Sequence, residues 1–134
     1  MPSGRILYLA LADARGHLMR AHLVSGLLAR RGVDVRVVTT AAAGVRFLER
    51  LGTGSTLLSE HFRVEFNARH DMSRPRTERR VLGYLVLPWR GPADLSRLAA
   101  MARGADLAVN DSLHPALLAA PVVGFPVPSP LANR

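Results

Sequence analysis

The chain has 134 residues, of which 49% are apolar and 21% charged, with no cysteine and a formal net charge of +8. One domain around a single packed core is the expectation at this length, and the apolar share excludes a disordered chain. Without cysteine there are no disulfides, no thiol chemistry and no cysteine-based zinc sites.

The first predicted element is Arg5 to Leu11, RILYLAL, an almost continuous apolar run of the kind buried on both faces of a parallel sheet. A short loop, DARG, leads into a predicted helix from His17 to Arg31. Its Met19, Leu23 and Leu27, with Val24 and Leu28, recur at helical spacing and are the expected buried stripe. Gly32 falls where helices commonly stop, and Arg30 and Arg31 suit the negative end of the helix dipole. Val33 to Thr40, VDVRVVTT, is rich in β-branched residues and predicts a second strand. Strand, helix and strand then form a βαβ unit. A second helix is predicted from about Ala42 to Leu51, closed by Gly52, and Ser55 to Ser59 with Phe62 to Phe66 supply one or two further extended pieces.

Asn67 to Arg80, NARHDMSRPRTERR, holds five arginines and one proline and reads as a loop or the start of a polar helix. Val81 to Trp89, VLGYLVLPW, is the reverse: apolar, aromatic and interrupted by Gly83 and Pro88. A helix from about Pro92 to Arg103, a strand from Ala105 to Asn110, a short helix LHPALLAA and a last strand VVGFPV complete the order. The alternation predicts an α/β fold, a Rossmann-like doubly wound parallel sheet flanked by helices, in a single domain over residues 1–134.

Ligands of such sheets bind beyond the carboxyl ends of the strands, which singles out two loops, DARGH and NDSLH. In the first, Gly16 and His17 stand at a helix start, where free N–H groups favour an anion or oxyanion. The loop lacks the glycines of a dinucleotide fingerprint, since Ala14 and Met19 occupy their places, so NAD and FAD are not expected. His17 is either a polar residue of the helix start or a general base suited to neutral pH. Asp111 is either an N-cap for a helix beginning near Leu113 or the carboxylate that orients His17. If the two strands lie near each other, both residues share one rim.

The string GHLMRAHLVSGLLARRGVDVRVVTT resembles the opening of GT-B glycosyltransferases: a Gly-His pair starts the first helix, an LLARRG-like end follows, and a β-branched strand comes next. ADLAVNDSLHPALLAA resembles a later segment of the superfamily, in which an Asp closes a strand before a short Ala-rich helix, followed by a Gly-x-Pro like Gly124 to Pro126. The resemblance, to family-1 and family-28-like members, is strongest before Gly52 and after Gly104. It implies the N-terminal, acceptor-side domain of an enzyme that transfers a sugar from a nucleotide-sugar donor such as a UDP-sugar to an acceptor hydroxyl. His17 is then the general base and Asp111 its partner, with Gly16, Arg20 and Ser112 binding substrate. Arg20 resembles a Gly-His-x-x-Arg variant found in a nucleotide-sugar hydrolase of the same architecture; its fork matches a phosphate or carboxylate, and a solvent-facing arginine is the other reading. Lipid-linked GlcNAc transferases surround the Gly-His with more glycines, where Ala14 and Arg15 stand here, which leaves the acceptor class open.

The resemblance also implies that the donor is held mainly by a second Rossmann-like domain, on the same gene or a separate chain. The chain by itself is then expected to be inactive. Neither a metal nor a cofactor other than the donor co-substrate is expected, because the five histidines are scattered without ligand spacing. Two alternatives remain: a nucleotide-sugar hydrolase or epimerase of the same architecture, and a non-catalytic subunit that binds an acceptor or partner.

All 18 basic residues are arginine, a pattern closer to a coding bias than to a binding surface. Nucleic acid is not an expected partner, because there are only seven aromatic residues and no recognition motif. The Arg-rich loop beside VLGYLVLPW fits peripheral contact with a membrane face or lipid acceptor, and solvated arginines beside a core segment are the competing reading. No apolar run nears the roughly 20 residues that span a bilayer, and Asp13 and Arg15 interrupt the opening stretch, so a cytoplasmic location is expected.

Overall fold

A computed structural model describes residues 4–111 and 114–118. Four parallel strands, β1 (Gly4–Ala10), β2 (Val33–Thr39), β3 (Ser55–Leu57) and β4 (Leu107–Asp111), form one sheet in the order β3-β2-β1-β4. The doubly wound α/β class is thus the observed architecture. The helices are α1 (Arg15–Ala29), α2 (Ala42–Arg50), α3 (Arg74–Val86), α4 (Gly91–Met101) and the short α5 (Pro115–Leu118). The final predicted strand, VVGFPV, and Gly124 to Pro126 lie outside the described residues.

Strand alternation sorts the core into two layers. Leu7 and Leu9 of β1 and Val38 of β2 pack with Tyr84 of α3, Leu98 of α4 and Ala116 of α5. Tyr8 and Ala10 of β1 and Val37 of β2 pack on the other face with Leu18 and Ala21 of α1 and Leu48 of α2. β1 is covered on both faces because its residues are apolar at consecutive positions. Full burial of each leucine contributes about 1.5–3 kcal/mol.

The first helix turns differently from the expectation. It buries Leu18, Ala21 and Ser25, and Val24 of the expected stripe packs partly buried beside them, with Leu28 half-buried, while Met19, Leu23 and Leu27 are 36%, 62% and 50% exposed. Small Ala21 and Ser25 let the helix lie close on the strands, so the narrow face seats inward and the leucine stripe looks out. Both predicted glycine stops hold: Gly32 (φ 79°) and Gly52 (φ 83°) take the left-handed conformation that ends a helix. After α2 the Gly52 N–H donates to the Glu49 carbonyl (2.9 Å) and the Thr53 N–H to that of Leu48 (2.9 Å).

The division between a polar stretch 67–80 and an apolar stretch 81–89 is not a structural boundary, because α3 runs across it. Residues 66–72 close a small turn, with Phe66 bridging Met72 antiparallel and Asn67 Oδ1 accepting the Arg69 and Asp71 N–H groups at 2.8 and 3.0 Å. The proline of the polar stretch, Pro75, sits in the first turn of α3, where its missing N–H is harmless. Only Tyr84 of this helix is fully buried, and Leu82, Leu85, Val86 and Trp89 are 63%, 56%, 67% and 62% exposed. A tight corner then joins α3 to α4, where a Cβ on Gly91 would meet the Tyr84 carbonyl oxygen at 2.4 Å. Among the described residues no helix is long and apolar enough to cross a membrane.

Candidate functional site

The chain winds β1, β2 and β3 outward in one direction and then crosses back to lay β4 on the other side of β1. The carboxyl ends of β1 and β4 are therefore the switch point of the sheet, where ligands of open α/β sheets sit. The register opposes Ala10 to Asp111, and alternation puts Tyr8 on the same face, toward α1.

The loop from β1 into α1 is held by its neighbours. The Ala12 N–H donates to Thr40 Oγ1 (3.1 Å), and the Asp13 carboxylate accepts the Val64 N–H (2.9 Å). Ala14 is extended and offers no side-chain cap, the His17 N–H donates to the Ala14 carbonyl at 3.2 Å, and at Gly16 an added Cβ would meet nothing within 4 Å.

Asp111 gathers three donors. His17 Nδ1 is 3.3 Å from Oδ1, the Arg20 guanidinium is 2.5 Å from the same oxygen, and the Tyr8 hydroxyl donates to Oδ2 at 2.9 Å. The carboxylate is 9% exposed, His17 30% and Arg20 57%, so the cluster opens from a buried anion to a solvent-facing rim. Burial, the hydrogen bond to Asp111 and its charge, in that order, push the Tyr8 phenol up to about 12, while Arg20 opposes them. Tyr8 therefore remains a donor at neutral pH.

Among the site residues expected from sequence, His17, Arg20 and Asp111 meet within one cluster, Gly16 lies beside them, and Ser112 lies outside the described residues. One alternative reading falls away: Asp111 does not cap a helix near Leu113, because α5 begins at Pro115 and the His114 N–H ahead of it donates to Asn110 Oδ1 at 2.8 Å. Arg20 is solvent-facing, 57% exposed, and also bonds Asp111. Tyr8 was missed, although its signal was available: it is the one residue of RILYLAL with both an apolar ring and a hydroxyl to satisfy.

The other histidines are dispersed. His22 Nδ1 lies 2.7 Å from Thr53 Oγ1 and ties α1 to the end of α2. His114 is fully buried, edge-on to Phe62 and Tyr84. Burial lowers its pKa to about 4, against a smaller opposing pull from Asp94. Among the described residues no group of three His, Asp or Glu side chains could hold a metal ion. A cavity of about 220 Å³ lined by Arg5, Asp34, Arg36 and Arg103 lies at the amino ends of β1 and β2, the opposite edge from His17.

The fold and rim define a Rossmann-like α/β protein with a His–Asp–Arg–Tyr cluster at its switch point. No protein-family model matches the chain, and no curated protein matches it in sequence.

Proposed function

We propose that this chain is the acceptor-side half of a GT-B-like glycosyltransferase, with His17 as general base and Asp111 as the carboxylate that orients it. The supporting observation is that α1 and β4, contributing residues 94 positions apart, bring the imidazole and the carboxylate to 3.3 Å at the switch point. With Nδ1 directed at Asp111, ring geometry leaves Nε2 on the far side, available to an acceptor hydroxyl. In the transfer step Nε2 takes the hydroxyl proton as the oxygen bonds to the anomeric carbon of the donor. The bond from that carbon to the nucleoside diphosphate breaks, and the diphosphate leaves with the electron pair. Asp111 stabilises the imidazolium, and the Gly16 region and Arg20 receive negative charge near the helix start. The nucleotide-sugar is held mainly by a second Rossmann-like half, which is the partner this reading requires.

A peripheral membrane contact or lipid acceptor belongs to the same reading. Its support is the outer face of α3, where Arg76 and Arg79 precede the exposed Leu82, Leu85, Val86 and Trp89 at helical spacing. Basic residues would meet anionic headgroups while the apolar residues enter the interface. Sedimentation with phosphatidylglycerol vesicles at low salt, lost in a Leu85→Ser, Trp89→Ser variant, is the expected outcome, and equal sedimentation removes this part.

The kinetic test uses the protein with its donor-binding half present. His17→Ala should lower turnover of nucleotide-sugars by about 10²–10⁴-fold, the usual range for a lost general base, with an unchanged circular dichroism spectrum. Asp111→Asn should lower it less. A non-catalytic binding role has one observation in its favour, the close Arg20–Asp111 pair, which already neutralises the carboxylate. Wild-type turnover by His17→Ala would establish that alternative, and sugar release without any acceptor would point to a hydrolase or epimerase.

A further inference from the structure

A second imidazole–carboxylate pair lies on the other face of the sheet. His61 follows β3, and its Nδ1 is 3.5 Å from Oδ1 of Asp94 in the first turn of α4. Asp94 is fully buried, and its other oxygen accepts the Ser59 hydroxyl at 2.6 Å and the Tyr84 hydroxyl at 2.9 Å. His61 Nδ1 and Asp94 Oδ1 are both buried and make no hydrogen bond among the described residues, and each faces the other across 3.5 Å. A proton on Nδ1 is the tautomer that lets the two close into a hydrogen bond. The side chain is 38% exposed, so with Nδ1 buried the outer edge of the ring meets solvent.

That edge forms part of the wall of an open concavity of about 610 Å³, lined also by Ser59, Glu60, Arg63, Arg80 and Arg97. Its acidic residues are engaged. Glu60 accepts the Ala42 N–H at 3.0 Å, and Glu65, just outside, takes Arg80 at 2.5 Å and Arg63 at 3.6 Å. Arg97 donates to the Leu58 carbonyl at 2.5 Å and meets no carboxylate among the described residues. A guanidinium offers five donors, so most of those on Arg97 remain for a ligand.

We propose that this concavity is an anion-binding site for a phosphate-bearing small molecule, held by Arg97 and the outer edge of His61, with Asp94 as the residue that positions the ring. The design is a planar fork matched to phosphoryl oxygens beside an imidazole fixed from behind by a buried carboxylate. The site stands at the β3 end of the sheet, apart from the β1–β4 switch point, and does not rest on the transfer reading.

The test is a titration of the ¹⁵N-labelled chain with inorganic pyrophosphate, at constant ionic strength against sodium chloride. Saturable shifts are expected at the amides of Ser59 to Arg63 and at the Arg97 side chain. Arg97→Gln should weaken binding by about tenfold or more, as expected for the loss of a charge-assisted hydrogen bond. His61→Gln provides a second variant that leaves the Leu58 contact intact, and it should also weaken binding. Asp94→Asn tests positioning, because it should abolish the preference of neutral His61 for the Nδ1–H tautomer, seen in long-range ¹H–¹⁵N spectra, and weaken binding with it. Unsaturable shifts spread over surface arginines, or saturable shifts confined to Arg15 to Arg20, would overturn the proposal. So would undiminished pyrophosphate binding by both Arg97→Gln and His61→Gln.

Discussion

The two faces of the sheet each carry an imidazole beside a carboxylate, but the carboxylates are stabilised in different ways. On the α1 face, Asp111 is balanced by a cation, Arg20, at a rim that water reaches. On the α3–α4 face, Asp94 is fully buried and met by two hydroxyls and His61. A carboxylate balanced by a cation that reaches water stays open to chemistry through that rim, whereas one sealed in the core among hydroxyls ties its donors together and resists removal.

The largest expected effect tests that contrast directly. Asp94→Ala leaves the Ser59 and Tyr84 hydroxyls without their acceptor inside the core, and should lower unfolding free energy by about 3–5 kcal/mol. Asp111→Ala leaves one buried hydroxyl, that of Tyr8, without its acceptor and otherwise frees only the 57% exposed Arg20 and the rim imidazole, and should lower it by less, about 1–2 kcal/mol. Urea denaturation of both variants measures the difference, and equal losses would erase the distinction between the faces.

His114 extends the contrast to pH. It packs against Tyr84 on the Asp94 face, with its pKa lowered from 6.5 to about 4 by burial. The folded protein therefore stays unprotonated at this ring where the unfolded chain binds a proton. The stability it protects is complete above about pH 6.5 and is lost as pH falls toward 4, by roughly 3 kcal/mol in all. His114→Phe keeps the aromatic packing and should flatten the stability profile between pH 6.5 and 4. An unchanged acid slope in that variant would assign the effect to other groups.

On the opposite face the corresponding probe is Tyr8. Asp111→Asn removes the carboxylate charge, so the phenol pKa should fall from about 12. It should stop above the ordinary value of about 10, because burial is the largest cause of the shift. Ultraviolet titration of the phenolate resolves it from Tyr84, which burial and Asp94 raise further.

Legibility in the sequence followed the same division. RILYLAL was readable as a strand because parallel strands covered on both faces need apolar residues at successive positions, and VDVRVVTT because it is rich in β-branched residues. Asp111 and His17 were readable as neighbours because parallel strands place their carboxyl ends on one edge. His61 and Asp94 gave no such signal. β3 is only three residues long, so nothing in the pattern marks His61 as following a strand end, and Asp94 resembles an ordinary acidic residue in the first turn of a helix. The start of α3 was hidden among arginines because its outer surface supplies no apolar repeat until Leu82.

The orientation of α1 was the clearest misreading, and it yields the smallest expected effect with the most to say about the site. At about 100° per residue, the expected stripe of Met19, Leu23 and Leu27 centres roughly 165° around the helix from Leu18, Ala21 and Ser25. Leu18, Ala21 and Ser25 face the sheet, and Met19, Leu23 and Leu27 do not. Leu23→Gln should therefore change stability by less than about 0.5 kcal/mol, whereas Leu18→Ala should lower it by about 2–5 kcal/mol. Thermal or urea unfolding of the pair decides between the stripes. If the order were reversed, α1 would be rotated by that angle. His17 and Arg20 sit on the same helix, so neither could then keep its bond to Asp111, and the rim cluster would come apart with the packing that builds it.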